Sequence, residues 1–534
     1  ALCGRYSYPQ KLEKAATAMN LPIAKDRLGK ALMKKICAPP FKATKAELAA
    51  FGQYCITDTE VLYRMLHTLP STELSPDLRR KWELTVKINK RGLPIDVPAV
   101  TRINEVVQFY IKKETKKIPI LTDGRIQTAG QIERIKDYCR EFGVDLPNLQ
   151  KATVDEILGC DDTPPEVQAI LQMRQDLSGA AVKKYAKLLM MVHRGKIHDN
   201  LRFWGAGPGR YSGMGFQAQN LPRASVDDPD YEIQCFYDTS ILKRRPLESA
   251  KALVRSMIRA PKGKTLIAAD YKSVEYVLAI WWAGAAQLIE RFNRGICPYK
   301  ETAMDLTSKS YEEITKAERT EAKPVKLGGQ YMMGWKALIE YAKNFGISMD
   351  AKRAKFAINV YREKHPEIVN TWGPLKQCTL DAVVSKGVEH TYRNVKFKYV
   401  TDRSGTSWLR MTLPSKRHIF YCQPEIGEGK FGPVVKHLGV DSKTKQWKTK
   451  YLPPNRIIEN IIQGLGWDLM MYGMLNVDRI YPVLLSVHDE VVVLADKKDA
   501  DLDHMIKLIC ALPPWAKGLP LQADGWVGER YRKD

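Results

Sequence analysis

The chain has 534 residues, enough for three or four domains at roughly 150 residues each. Hydrophobic residues make up 44% and charged residues 27%, which excludes wholesale disorder. Lys plus Arg number 84 against 60 Asp plus Glu, a formal charge of +24, so a polyanionic partner is expected, either nucleic acid or an acidic membrane surface. The best apolar run, Tyr276 to Ala286, is too short for the roughly 20 residues of a membrane-spanning helix, and no basic-then-apolar signal opens the chain. An opening at Ala1 rather than Met reads as a fragment. The ten Cys are scattered without a CxxC pair and the nine His form no HExxH, so neither a zinc knuckle nor a disulfide framework is expected. That pattern fits a reducing, intracellular setting.

In chain order, residues 1 to about 70 are mostly helical in pattern, and Pro70 to Pro76 reads as a linker because a proline at each end discourages helix. Beyond it, Arg79, Arg80, Lys81, Lys87, Lys90 and Arg91 sit among apolar residues. Thr128 is expected to cap a helix over Ala129 to Phe142, and Thr153 with Glu156 to form a capping box. Val182 to Val192 reads as a further helix carrying Lys183, Lys184 and Lys187. This basic section suits a clamp on a phosphate backbone, with a solvated helix face as the plain alternative. From about Leu201 the pattern becomes mixed. Thr265 to Ala269 is an apolar strand ending at Asp270, residues 285 to 387 are largely helical, and Val395 to Tyr421 alternates like hairpin strands. Arg456 to Leu475 reads as an amphipathic helix, and Pro482 to Ala495 as an apolar hairpin with His488-Asp489-Glu490 at its tip.

Carboxylates at the ends of apolar strands are costly unless a cation compensates them. Asp270 and Asp489, side by side on one sheet, could hold two Mg²⁺ ions about 4 Å apart for in-line phosphoryl transfer. A third element runs from Arg319 to Gly334. At about 100° per residue, Arg319, Lys323, Leu327 and Tyr331 drift by only about 40° per step and share one helical face. Two cations followed by an apolar and an aromatic residue suit a nucleoside triphosphate.

These three elements, in this order, resemble motifs A, B and C of the family A (DNA polymerase I-like) DNA polymerases. Motif A is carried by Asp270-Tyr271-Lys272-Ser273-Val274-Glu275, motif B by Arg319, Lys323, Leu327, Gly328 and Tyr331, and motif C by His488 to Glu490. GPGRYSG and QNLP (Gly207 to Gly213, Gln219 to Pro222) resemble the family's TGR…QNIP segment. Gln463, Gly464 and Asp468 resemble its QGTAAD helix. Leu327, and LPSKRHIFY from Leu413 to Tyr421, look most like the bacteriophage branch.

The resemblance implies a mixed α/β (α+β) fold, a right-hand polymerase with palm, fingers and thumb, preceded by the C-terminal part of a 3′–5′ exonuclease-like domain. Its boundaries would be 1–75 for the exonuclease-like part, 76–200 for the thumb and connecting helices, 201–284 for the palm with motif A, 285–390 for the fingers with motif B, and 391–534 for the palm with motif C. It implies a template-directed DNA polymerase acting on primer–template DNA and dNTPs. Asp270 and Asp489, with the Tyr271 carbonyl, would bind two Mg²⁺, with Mn²⁺ as an alternative, and Glu490 would support them. Arg319 and Lys323 would hold the triphosphate, and Lys323 would also protonate leaving pyrophosphate. Leu327 would meet the base, and Tyr331 and Glu275 would wall off the space of a ribose 2′-OH. His488 would touch the primer terminus. Arg210 and Gln463 would read minor-groove acceptors, with Asn220 and Asn460 as further DNA contacts. A monomer in the cytoplasm of an infected bacterium is expected, with processivity or replisome factors as further partners and no membrane.

Several departures from the family pattern stand out. Val277 occupies a position that is usually Arg, and Met332 replaces the usual Gly after Tyr331. Pro324 follows Lys323, so the helix is expected to begin or kink there. Asn460 lies one residue closer to Gln463 than in the polymerase I pattern. Tyr54 and Asp58 fit the third exonuclease motif, YxxxD. Asp58-Thr59-Glu60 imitates the first motif, DxE, but falls in a helical pattern, so no proofreading is expected. The rival readings are a single-subunit RNA polymerase, disfavoured by Glu275 beside Tyr331; a non-catalytic DNA clamp, disfavoured by the intact Asp270, Asp489, Arg319 and Lys323; and an exonuclease lacking two of its motifs.

Overall fold

The computed structural model describes residues 1–22, 27–222, 226–441 and 444–532. Local chemistry sets the helix ends of its first half. Helix α1 (Lys45–Thr68) opens on a capping box, in which the Thr44 hydroxyl accepts from the Glu47 N–H and the Glu47 carboxylate accepts from the Thr44 N–H. Tyr54 and the Asp58-Thr59-Glu60 run both lie on this helix, not on a strand. The stretch before Pro76 is non-helical as expected, and α2 (Pro76–Arg91) starts with Ser75 as its cap and Pro76 at its first position.

Two expected caps are corrected. Helix α3 (Ile132–Glu141) begins later than Thr128. Gln131 occupies the cap position, and its side-chain carbonyl accepts from the N–H groups of Gln127 and Thr128. Helix α4 (Lys151–Leu158) begins before Thr153, whose hydroxyl donates to Asn148 Oδ1. The short Asn148 side chain, which also takes the Gln150 N–H, organises this start instead. Helix α5 (Ala180–Met191) lies where the pattern put it.

Strand β1 (Lys264–Tyr271) is followed by α6 (Val274–Ala283), α7 (Pro298–Thr307), α8 (Lys316–Gly329), α9 (Ala351–Lys364) and α10 (Trp372–Val384). Helix α8 contains Pro324 without ending or restarting there. Ala322, Val325, Lys326 and Gly329 form its buried face. Gly329 is required by close approach, because a Cβ there would meet the Tyr361 ring at 2.5 Å. With Ala303, Leu306, Leu338, Ala354 and Ile358 this face makes a separate small core.

A six-stranded antiparallel meander follows: β2 (Glu389–Tyr392), β3 (Val395–Thr401), β4 (Ser407–Thr412), β5 (His418–Gly429), β6 (Gly432–Val440) and β7 (Trp447–Leu452). It extends well past the expected hairpin, and Tyr6 and Tyr8 from the start of the chain pack on its Trp408 and Phe420. Helix α11 (Pro454–Val477) has 14 buried residues of 24, too many for one stripe. It is a core helix rather than the expected amphipathic one. Strands β8 (Val483–Val487) and β9 (Glu490–Asp496), then α12 (Leu502–Ile509) and β10 (Ala523–Gly528), complete the chain. The central sheet has the order β8-β9-β1-β10, each neighbour antiparallel, and its apolar strands lie in the main core. Among the described residues, no helix is long and apolar enough to cross a membrane.

Candidate active site

Strand register brings the motif A and motif C carboxylates together. Glu490 pairs with Asp270 across β9 and β1, and the Tyr271 N–H donates to the Asp489 carbonyl at 3.1 Å. Asp489 therefore lies beside the C-terminal end of β1, next to Asp270. Both aspartates are half-buried. His488 and Asp489 form the two-residue turn between β8 and β9, with His488 exposed and at φ +56°. A bulky residue in the left-handed region is strained, and such strain gathers at functional sites. The Tyr271 side chain points into the core, where its hydroxyl donates to the Ile509 carbonyl at 2.7 Å, so only its backbone is left to face the carboxylates.

Glu490 is 2% exposed. Its Oε1 accepts from the Tyr531 hydroxyl at 2.6 Å, and that hydroxyl accepts from Arg255 Nη1 at 3.0 Å. Burial first, and the Glu490 charge second, hold the Tyr531 phenol above its ordinary value, so it stays a donor. Arg255 also donates to the carbonyls of Leu221 and Pro222, which fixes the QNLP segment to the same support. Neither Arg255 nor Tyr531 was visible as a site residue, because each acts through a partner far away in sequence. Tyr531→Phe should leave a buried carboxylate short of a donor and cost about 1–3 kcal/mol. Urea or thermal unfolding checks this, and an unchanged midpoint would remove the support assigned to Tyr531.

Glu275 lies in the first turn of α6. Its Oε2 accepts from the Tyr331 hydroxyl at 2.7 Å, and Arg210 Nη1 approaches its Oε1 at 3.5 Å. Burial and then Glu275 raise the Tyr331 phenol well above its ordinary value, which keeps it a donor. The shared helical face expected for motif B is corrected here. Arg319, Lys323 and Leu327 are half-buried on α8, but the helix stops at Gly329 and Tyr331 sits in the turn that follows, with its N–H on the Gly328 carbonyl. Met332 closes that turn at φ +59°, where glycine would be unstrained. Arg319 Nε donates to Cys297 Sγ at 3.4 Å, and its guanidinium carbon lies 5.5 Å from the Tyr299 ring centroid. Burial, the largest cause, holds the Tyr299 phenol above its ordinary value.

The other expected DNA contacts are spread more widely. Gln463 and Asn460 are half-buried on α11, with Asn460 Nδ2 donating to the Tyr421 hydroxyl at 2.8 Å. Asn220 is exposed and donates to Gln217 Oε1 at 3.2 Å, while the neighbouring Gln219 donates to the Ser486 carbonyl at 3.1 Å. Arg417 is a further residue the sequence did not disclose. Buried, it donates to Asp468 Oδ1 at 2.7 Å and to the carbonyls of Pro208 and Gly464, so it ties the GPGR turn carrying Arg210 to α11. Gly209 admits it, since a Cβ there would lie 2.8 Å from Arg417 Nη1. Tyr54 and Asp58 are half-buried on α1. Among the described residues, no group of three or more His, Cys, Asp or Glu side chains forms a ready metal cage.

Residues 147–533 match the profile of DNA polymerase family A. The chain is 26% identical to the DNA polymerase of Bacillus phage SP02 over 98% of its own length and 84% of that protein. It is 23% identical to DNA polymerase I of Aquifex aeolicus over 84% of its own length and 65% of that protein. Its fold is similar to the POL domain of Pol1 from M. smegmatis, solved in complex with DNA primer-template and dNTP. The TM-score is 0.60 at 16% identity, covering 96% of this chain and 80% of that one. With the family profile spanning most of its length, and motif residues that converge on one end of the central sheet, the chain belongs to DNA polymerase family A and is a template-directed DNA polymerase.

Proposed function

We propose that this chain extends a primer 3′-OH with dNTPs at the Asp270–Asp489 end of the central sheet, in replication of a phage genome. The observation that carries the reading is the register that sets Asp489 and Glu490 against the end of β1. Carboxylate oxygens suit a hard cation, and Mg²⁺ is typically held by one or two carboxylates plus substrate phosphates rather than by a full protein cage. Two half-buried aspartates, with no group of three ligating side chains among the described residues, fit that habit. Asp270, Asp489 and the Tyr271 carbonyl would hold two such ions, with Mn²⁺ as an alternative. When bound, they supply charge stabilisation to the transferring phosphoryl group and a lower pKa for the attacking hydroxyl.

Arg319 and Lys323 then bind the triphosphate, Lys323 protonates the leaving pyrophosphate, and Leu327 packs on the base. Glu275 and Tyr331 occupy the space beside C2′. His488, exposed at the turn, meets the primer terminus. Arg210, Gln463, Asn220 and Asn460 contact the nascent duplex. Primer extension with dNTPs and Mg²⁺ should be robust, fail with NTPs and stop on chelation. Equal use of NTPs would favour an RNA polymerase instead.

The helices before residue 200 clamp the duplex through fewer cations than their composition suggests. Lys81 is buried, bonded to Asp77 and stacked on Trp467, and Arg91 is paired with Asp478. Lys87, Lys90, Lys112, Lys183 and Lys187 are exposed and make no salt bridge among the described residues. With about six phosphates neutralised, log K against log salt should slope near −5. Lys183→Ala and Lys187→Ala should each flatten the slope by about 1. A salt-independent affinity would return these helices to the role of solvated faces.

A further inference from the structure

We propose that Cys297 is a positioning residue for Arg319, its sulfur holding one edge of the guanidinium so that the other edge faces the nucleotide phosphates. The inference rests on the reading of Arg319 as a triphosphate ligand.

Arginine carries five N–H donors in a planar fork on a long, rotamer-rich stem. Bidentate recognition of a phosphate needs the plane fixed before the ligand arrives, and the fixing group must leave two parallel donors unused. Among the described residues, Arg319 makes no salt bridge that could do this. Its Nε–H goes instead to Cys297 Sγ at 3.4 Å, and the face of Tyr299 lies 5.5 Å from the guanidinium carbon. A donor spent at Nε leaves the terminal edge, Nη1 and Nη2, directed away from the sulfur.

The cradle is itself held in place by its surroundings. Cys297 is the residue that caps α7, and its N–H donates to the Tyr311 hydroxyl at 3.0 Å. Helix α7 packs on α8 through Ala303 and Leu306 against Ala322 and Val325. Arg319 is thus referenced to the packed pair α7 and α8. The thiol reports the same contact. Burial alone would raise it, but the Arg319 hydrogen bond and the N–H groups of Lys300 and Tyr299 bring it below its ordinary value.

The test is steady-state primer extension with four proteins: the parent chain, Cys297→Ala, Arg319→Ala and the double variant, with Cys297→Ser as the conservative control. Cys297→Ala should raise KM for dNTP about five- to tenfold, the range of one neutral hydrogen bond, with kcat changed less than twofold. Cys297→Ser, which keeps an acceptor at the same place, should recover most of the loss. In the Arg319→Ala background, Cys297→Ala should add nothing. A parent-like KM in Cys297→Ala, or an effect that multiplies with that of Arg319→Ala, overturns the positioning role. If Arg319→Ala itself leaves KM unchanged, the triphosphate reading fails first. If Cys297→Ala melts early, the serine variant carries the comparison, and a serine variant as impaired in KM as Arg319→Ala also overturns the proposal.

Discussion

Asp270→Asn or Asp489→Asn is expected to reduce primer extension by about 10³-fold or more while leaving primer–template affinity nearly intact. Each carboxylate would supply one charged oxygen ligand to the proposed metal pair, and loss of Lewis-acid stabilisation is worth several kcal/mol of barrier, with each 1.36 kcal/mol a factor of ten in rate. The asparagine keeps the shape of a half-buried side chain at the end of a strand, so the fold should survive. The register of β9 with β1 spans seven residue pairs and does not depend on either carboxylate. Single-turnover extension together with DNA binding by anisotropy separates the outcomes. Extension within tenfold of the parent chain in either variant would remove that aspartate from the chemistry. A matching fall in DNA affinity would mean the substitution disturbs the turn rather than the metal.

Much of this site was legible because its elements announce themselves locally. Asp270 and Asp489 interrupt apolar strands, and the strands fall where the residues predict them. The helix carrying Arg319 and Lys323 starts on a Thr315–Glu318 capping box that local pattern alone could have found. What stayed hidden is long-range. That the two segments meet was expected, but that Glu490, and not Asp489, pairs with Asp270 depends on the register of strands more than 200 residues apart, for which no periodicity speaks. The Arg417–Asp468 and Tyr531–Glu490 contacts are buried pairs whose partners cannot be named from one side. The end of α8 at Gly329 departs from the sequence pattern for a different reason. Helical spacing continued to Tyr331, but two consecutive glycines and a left-handed Met332 end the helix first. Composition overcounts the cations open to a partner because it cannot tell Lys81, buried against Trp467, from Lys87, which is exposed.

Val277 stands where the family pattern usually has Arg, and a different arginine reaches Glu275. Val277 is wholly buried in α6 and cannot reach Glu275, whereas Arg210 enters from the GPGR turn to within 3.5 Å of it. The carboxylate is thus held between a phenol and a guanidinium. An incoming 2′-OH would have to displace the Tyr331 hydrogen bond or leave its own group desolvated, a penalty of about 1–3 kcal/mol. Glu275→Ala should therefore lower the ratio of kcat/KM for dCTP over CTP opposite template G by about tenfold, within the 5- to 150-fold that such a penalty allows. The overall rate should fall as well, because Tyr331 and Arg210 lose their common anchor. Arg210→Ala gives a second measure. It should shift the same ratio in the same direction but by less, since the shorter contact, Tyr331 to Glu275, remains. If Glu275→Ala leaves the ratio unchanged, the pair is a structural brace between α6 and the end of α8. Discrimination against ribonucleotides must then come from elsewhere in the pocket.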